Sequence, residues 1–417
     1  MRTAICWILF GLALAGLCQP LVGVAAPLGM SYVRQLVAEK NISSVDELLS
    51  NLPAYYRSRF TLVFDSRSLQ AASYENPRVI LYGLNGTFIL TFNGDAKHRD
   101  RGFDSIEMLE FDEPTKQFFL QELRFPQAPD LSSRAEFSEV NPEKCTGCHG
   151  KVPRPVWDTH PFWPGVYGEL YQIRPPQPEE VGFESFLRHQ SVHPRYRYLV
   201  GVESFAYRYR FNPSSKDKYD GVHVETPNAE LTNLLSGLNA EGIAATVIRH
   251  EGFPTYKYAL LASLSPSCAD IDEFFPAELW PSVRKSHRAF SDRSDSVNQR
   301  QLESKKSRAR QRLAADRFAT ESSIDKVQSL KEFRFIVEFA LGLDTGDWTL
   351  ALEKGTYDFT APRSAADIIK RRMLDEVARS DPDVEELRVY ESQTSNNKYC
   401  SYLLRQSRFA LDQSKAR

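Results

Sequence analysis

Cys145, Thr146, Gly147, Cys148 and His149 form a C-x-x-C-H run, the pattern in this chain with the most specific chemistry. Two thiols at positions i and i+3 can each add to a vinyl group on one face of a haem. The residue that follows then presents an imidazole to the iron. One short segment thus supplies two covalent tethers, Cys145 and Cys148, and an axial metal ligand, His149. That is the chemistry of c-type haem attachment, and it predicts one covalent haem c. Two other uses of paired cysteines fit less well. Zinc normally takes four ligands, and no second C-x-x-C follows. A thioredoxin-like redox pair is expected beside a βαβ pattern, which the chain does not show.

The N-terminus agrees with that chemistry. Arg2 makes a minimal basic region, and Ala4 to Leu17 is an apolar run too short for a usual membrane span. Small residues follow in Gly23-Val24-Ala25-Ala26, and Pro27 favours a cut after Ala25 over one after Ala26. Residues 1–25 therefore read as a signal peptide. The competing reading is an uncleaved anchor that leaves the rest of the chain facing the periplasm. Either way the chain is exported, and covalent haem attachment takes place outside the bacterial cytoplasm. No later apolar stretch is long enough to cross a bilayer, so the processed chain is not expected to be an integral membrane protein.

The composition narrows the class further. A net charge of −2 over 417 residues gives no reason to expect nucleic acid as a partner. Aromatics at 12% favour a packed chain over a disordered one. Of the 6 cysteines, Cys6 and Cys18 lie in the leader and two serve the haem motif. Cys268 and Cys400 remain. An exported chain can pair them, or they are buried free thiols, and both readings stand.

The surrounding elements predict an α+β protein. Ser43 or Ser44 caps a helix over Val45–Leu52. Arg78–Tyr82 and Thr87–Phe92 are β-rich runs around the turn signal Asn85-Gly86. Ile106–Phe111 and Gln117–Phe125 form a second pair, turning at Asp112-Glu113-Pro114. Further on, Leu330–Leu343 and Ala365–Ala378 are amphipathic helices. The predicted division is an N-terminal α+β region with an antiparallel sheet at 26–135, an irregular and helical haem-binding segment at 136–200, and a mainly helical region at 201–417. No internal repeat suggests a multihaem array. Residues 284–317 hold 11 Lys/Arg and 4 Asp/Glu, a solvated helix or loop, or a basic surface for an acidic redox partner.

After His149, the stretch Gly150–Gly168 holds four prolines, two tryptophans and three glycines, which prevents a long helix. Trp157, Phe162, Trp163 and Tyr167 either cover the porphyrin edge or fill the core. Arg154 either pairs with a haem propionate or is an exposed arginine.

At these residues the chain resembles c-type cytochromes, and the run from Asn141 to Gly168 is similar to large bacterial cytochrome c domain-containing proteins. The resemblance implies thioether bonds at Cys145 and Cys148 and His149 as proximal ligand. It departs from small cytochromes at the sixth ligand, which there is a Met some tens of residues after the motif. Here no Met lies between His149 and Met373, and Met108 precedes the motif. His160, His189, His193, His223 and His250 follow it, with His189 and His193 spaced for one helix face. The ligand is expected to be a histidine, or the position is vacant. The expected function is a periplasmic monohaem c-type cytochrome that transfers single electrons to or from an unidentified redox protein. Two alternatives stand: a haem enzyme or sensor binding peroxide, oxygen or nitric oxide at an open iron, and an exported partner-binding protein in which haem stabilises the fold. No catalytic triad, nucleotide loop or second metal site supports an enzyme.

Overall fold

Two tight turns set the register of the sheet. Strand β2 (Arg78–Tyr82) and strand β3 (Phe88–Phe92) pair antiparallel about Asn85-Gly86, with Tyr82 opposite Ile89. Gly86 sits at φ 70°, and a Cβ there would meet the Leu234 side chain at 2.8 Å, so both conformation and packing require glycine. Strands β4 (Ser105–Asp112) and β5 (Gln117–Arg124) turn where Asp112 accepts from the backbone of Thr115 and Lys116. Strand β1 (Phe60–Val63) flanks β2, and β6 (Glu136–Phe137) flanks β5, giving a six-stranded antiparallel meander in chain order.

This computed structural model describes residues 28–66, 68–97, 100–126, 134–155, 165–167, 177–210, 227–265, 267–268, 270–289, 333–345, 362–388 and 398–416. The leader, Trp157, His160, Phe162, Trp163, His223 and most of the basic run at 284–317 lie outside the described residues.

Because side chains alternate along a strand, the sheet has two distinct faces. The first is apolar throughout its centre. Phe60, Leu62, Val79, Leu81, Leu90, Phe92, Ile106 and Met108 pack there against Val33, Leu48, Tyr56, Phe183, Phe186 and Phe205. Those partners come from helices α1 (Met30–Lys40), α2 (Val45–Asn51), α3 (Ala54–Arg57), α5 (Gln177–His189) and α6 (Val202–Arg210). Helix α2 starts as the sequence predicts. The Ser44 hydroxyl accepts from Glu47 N at 3.1 Å, and the Glu47 carboxylate accepts from Ser43 N at 2.7 Å.

The second face carries Val63, Ile80, Tyr82, Ile89, Leu109, Phe111, Phe118 and Leu120, and helix α7 (Pro227–Arg249) lays Leu231 and Leu235 on it. The far half of α7 enters another core through Ala240, Ile243, Ala244 and Val247. That core is built by α8 (Phe253–Ser263), the helices at 280–289 and 333–341, and the helices Pro362–Ala378, Asp383–Arg388 and Lys398–Lys415. The protein is therefore α+β, with a sheet-centred N-terminal region and a mostly helical C-terminal region. Among the described residues, no helix is long and apolar enough to cross a membrane.

Cys268 and Cys400 form a disulfide, with Cα atoms 5.4 Å apart, so the pairing reading holds over the free-thiol one. The predicted boundaries at 135 and 200 run across continuous packing. Strand β6 extends the sheet, and α5 and α6 both place phenylalanines in the first-face core.

Candidate functional site

The C-x-x-C-H run occupies one short helix, α4 (Glu143–His149), pinned to the outer edge of the sheet. Asn141, in the left-handed region at φ 57°, exchanges two hydrogen bonds with Leu120 on β5. Its backbone N donates to the Leu120 carbonyl at 2.8 Å, and its side-chain oxygen accepts from Leu120 N at 2.8 Å. Pro142 then sits at the N-cap, where its missing N–H costs no helical hydrogen bond. One residue before the first thiol, Lys144 pairs with the buried carboxylate of Glu122 on β5, which Arg124 also contacts at 2.8 Å.

This anchoring decides the environment of each sulfur. Cys145 turns toward the sheet and packs on the second-face cluster. Cys148, one turn on, is exposed, and both thiols are free. Positions i and i+3 share a helix face, so both sulfurs are available to one planar group. A Cβ placed on Gly147, between them, would meet no atom within 4 Å. Burial pushes the Cys145 thiol up to about 11, and the nearby Glu107 carboxylate adds to the rise. A nucleophilic redox thiol needs the opposite shift, so the dithiol-exchange reading gains nothing here.

The end of α4 prepares the histidine. Gly150, at φ 90°, stops the helix and lets the chain double back. Arg154 N donates to the His149 carbonyl at 3.2 Å, and the Arg154 carbonyl lies 2.6 Å from His149 Nδ1. A carbonyl only accepts, so Nδ1 carries a proton, and in the neutral ring the lone pair is then on Nε2. A backbone carbonyl holding one ring nitrogen is the usual way a protein fixes a metal-binding imidazole. The donor set therefore fits a c-type haem: Cys145 and Cys148 would hold the macrocycle, and His149 would ligate the iron. Among the described residues, no group of three or more His, Cys, Asp or Glu is placed to hold a metal ion of its own.

The other residues singled out in the sequence are dispersed. Met108 is buried on the first face of the sheet, opposite Cys145, and Met373 lies in the helical core. Helix α5 ends at His189, so the single helix face predicted for His189 and His193 does not form. His189 is exposed, with Nδ1 2.9 Å from the Ser185 carbonyl. His193 stacks on Tyr196 of the first-face core with ring centroids 3.8 Å apart. His250 Nδ1 accepts from Gly252 N at 3.1 Å in the turn between α7 and α8. Tyr167 fills the first-face core and donates to the Tyr74 carbonyl at 3.0 Å, so it is a packing residue and no cover for the Cys145 side. Arg154 is buried, which removes the exposed-arginine reading.

Sequence reading missed the polar side chains around α4: Arg78, Glu107 and Glu122 on the sheet, and Lys144 on the helix itself. For the three on the sheet, the sequence signal is a charged residue at inward positions of strands that otherwise alternate. Comparison of the chain with family models, with curated proteins and with solved structures gives no match.

Proposed function

We propose that the chain is an exported monohaem c-type protein that transfers single electrons in the periplasm, to or from a redox protein. The observation that carries this reading is the state of α4. Two free thiols stand one turn apart, and the adjacent His149 has its Nδ1 held by the Arg154 carbonyl at 2.6 Å. Bound haem supplies reversible one-electron exchange at iron. The chain's own residues do the rest. Cys145 and Cys148 fix the group covalently, His149 presents Nε2 in one orientation, and the sheet under Cys145 excludes water from one side. The motif and the leader Ala4 to Leu17 support each other, since thioether formation requires export.

The test is the mass of the denatured mature protein, produced with periplasmic cytochrome maturation. It should exceed the polypeptide mass by one haem, and a mass equal to the polypeptide alone sinks the reading. The reduced protein should then be exposed to carbon monoxide. Rapid binding would shift the reading to the sensor or enzyme alternative, whereas resistance supports the electron carrier.

A further inference from the structure

We infer that Glu107, clamped by Arg78 on the sheet face beneath α4, is the fixed charge that sets the electrostatic environment of a haem attached at Cys145. This rests on the haem reading above. The register places Thr61, Ile80, Thr91, Glu107 and Glu122 side by side across five strands, all on the second face. A covered sheet face is normally apolar, because a buried charge is costly unless paired. Here the row carries two carboxylates.

The two carboxylates are held differently. Glu122 meets two cations, Lys144 and Arg124, at the sheet edge. Glu107 meets one. Arg78 Nη2 donates to its Oε2 at 2.6 Å and to Thr91 Oγ1 at 2.8 Å, while Arg78 Nε donates to Gln70 Oε1 at 2.9 Å. Gln70 is fully buried and donates to the Thr91 and Ser105 carbonyls at 3.0 and 2.9 Å. The guanidinium therefore cannot swing out, and it holds the carboxylate in place. The other carboxylate oxygen, Oε1, is buried and makes no hydrogen bond.

The haem attachment point lies close to this group. Glu107 is the cross-strand neighbour of Glu122, and Lys144 ties the first turn of α4 to Glu122. The next residue, Cys145, packs on the cluster that contains Leu109 and Leu120, the next pair along the same two strands. A thioether would put the porphyrin ring two bonds from the Cys145 sulfur, through the former vinyl carbon. Charges buried at such a site act through a low effective dielectric, so a single carboxylate counts.

The sign follows from the iron. The oxidised form carries one more positive charge than the reduced form, so a nearby anion lowers the reduction potential and a cation raises it. Glu107→Gln keeps the shape and removes the anion, and the midpoint potential should rise. Arg78→Gln leaves Glu107 uncompensated, and the potential should fall. Both are measured by spectroelectrochemical titration of the haem-loaded mature protein at one fixed pH. Covalent haem is measured on the same samples by mass after denaturation. Opposite shifts with one haem per chain support the assignment. Unchanged potentials overturn it and leave the haem reading intact. So do shifts of the same sign, which would mean that each variant simply loosens the site. If Arg78→Gln does not accumulate, the sign of the Glu107→Gln shift decides alone. A wild-type protein without covalent haem removes the underlying reading, which the mass measurement reports separately.

Discussion

Cys145 and Cys148 stand three residues apart on one short helix with free thiols, whereas Cys268 and Cys400, separated by 132 residues, are joined. The second pair is buried in the helical core, among side chains such as Phe274, Tyr399 and Leu403. There sulfur serves as packing and as a tie between the chain just after α8 and the helix Lys398–Lys415. The first pair lies at the edge of a sheet face, one sulfur half-buried and one exposed, on a helix that a glycine ends at once. Residue type is the same in both regions. What differs is burial and what stands within bonding reach of each sulfur.

The largest expected effect breaks the first pair. Cys145→Ala/Cys148→Ala should abolish covalent haem entirely while the Cys268–Cys400 disulfide still forms, read by mass under non-reducing conditions. Retained haem mass in that variant would refute the assignment of α4. Breaking the second pair should do the converse. Cys268→Ala/Cys400→Ala frees a long loop in the unfolded chain and should cost about 3–5 kcal/mol of stability. Urea denaturation measures the loss, and covalent haem should remain at one per chain. Loss of haem as well would mean that α7, which enters both cores, couples the two regions into one folding unit.

What was legible in the sequence was local. The Asn85-Gly86 hairpin, the Asp112 turn and the Ser44 cap each depend on a few adjacent residues, and each forms where the sequence predicts. The motif itself is equally local. What was not legible depends on register and on long-range pairing. Gln70, Arg78, Thr91 and Glu107 meet only because three strands align, and no spacing announces that. Alternation in β4 separates Met108 from Glu107, yet it cannot say which face will receive Cys145. The spacing of His189 and His193 suggested a shared helix face, but the chain leaves the helix between them. There Nδ1 of His193 accepts from the backbone of Arg195 and Tyr196, each at 3.2 Å.

That histidine supplies a mid-sized test of the first-face core. Burial, and then the Arg195 guanidinium, press the His193 imidazole down to about 4. Asp95 and the Gly94 carbonyl act the other way, and His189 adds slightly to the depression. A histidine whose pKa is depressed by folding binds a proton more readily when unfolded. Its contribution is therefore complete above the unfolded value of about 6.5 and is lost as pH falls toward 4. Allowing for partial solvent screening, about 2 kcal/mol should disappear across that window. Urea midpoints measured through this pH range should fall less steeply in His193→Gln than in the wild type. Parallel curves would show that the imidazole does not carry the dependence.

The smallest effect belongs to the helical core and sharpens the contrast between regions. Asp381, between the helices Pro362–Ala378 and Asp383–Arg388, accepts from Tyr258 of α8 at 2.7 Å and from Tyr402 at 2.7 Å. Tyr402 is two residues from Cys400, so hydrogen bonds and disulfide tie the same helix at one end. Burial, and then the Asp381 carboxylate, raise the Tyr402 phenol to about 12, which keeps it a donor at neutral pH. Tyr402→Phe removes that donor and leaves the one from Tyr258, so Asp381 keeps a partner. The cost should be about 1 kcal/mol, read from the urea midpoint. Haem content and midpoint potential should stay at wild-type values, because Tyr402 belongs to the helical core and Cys145 packs with the sheet. A potential shift in Tyr402→Phe would show that the helical core reaches the haem site, and the two regions would then have to be treated as one.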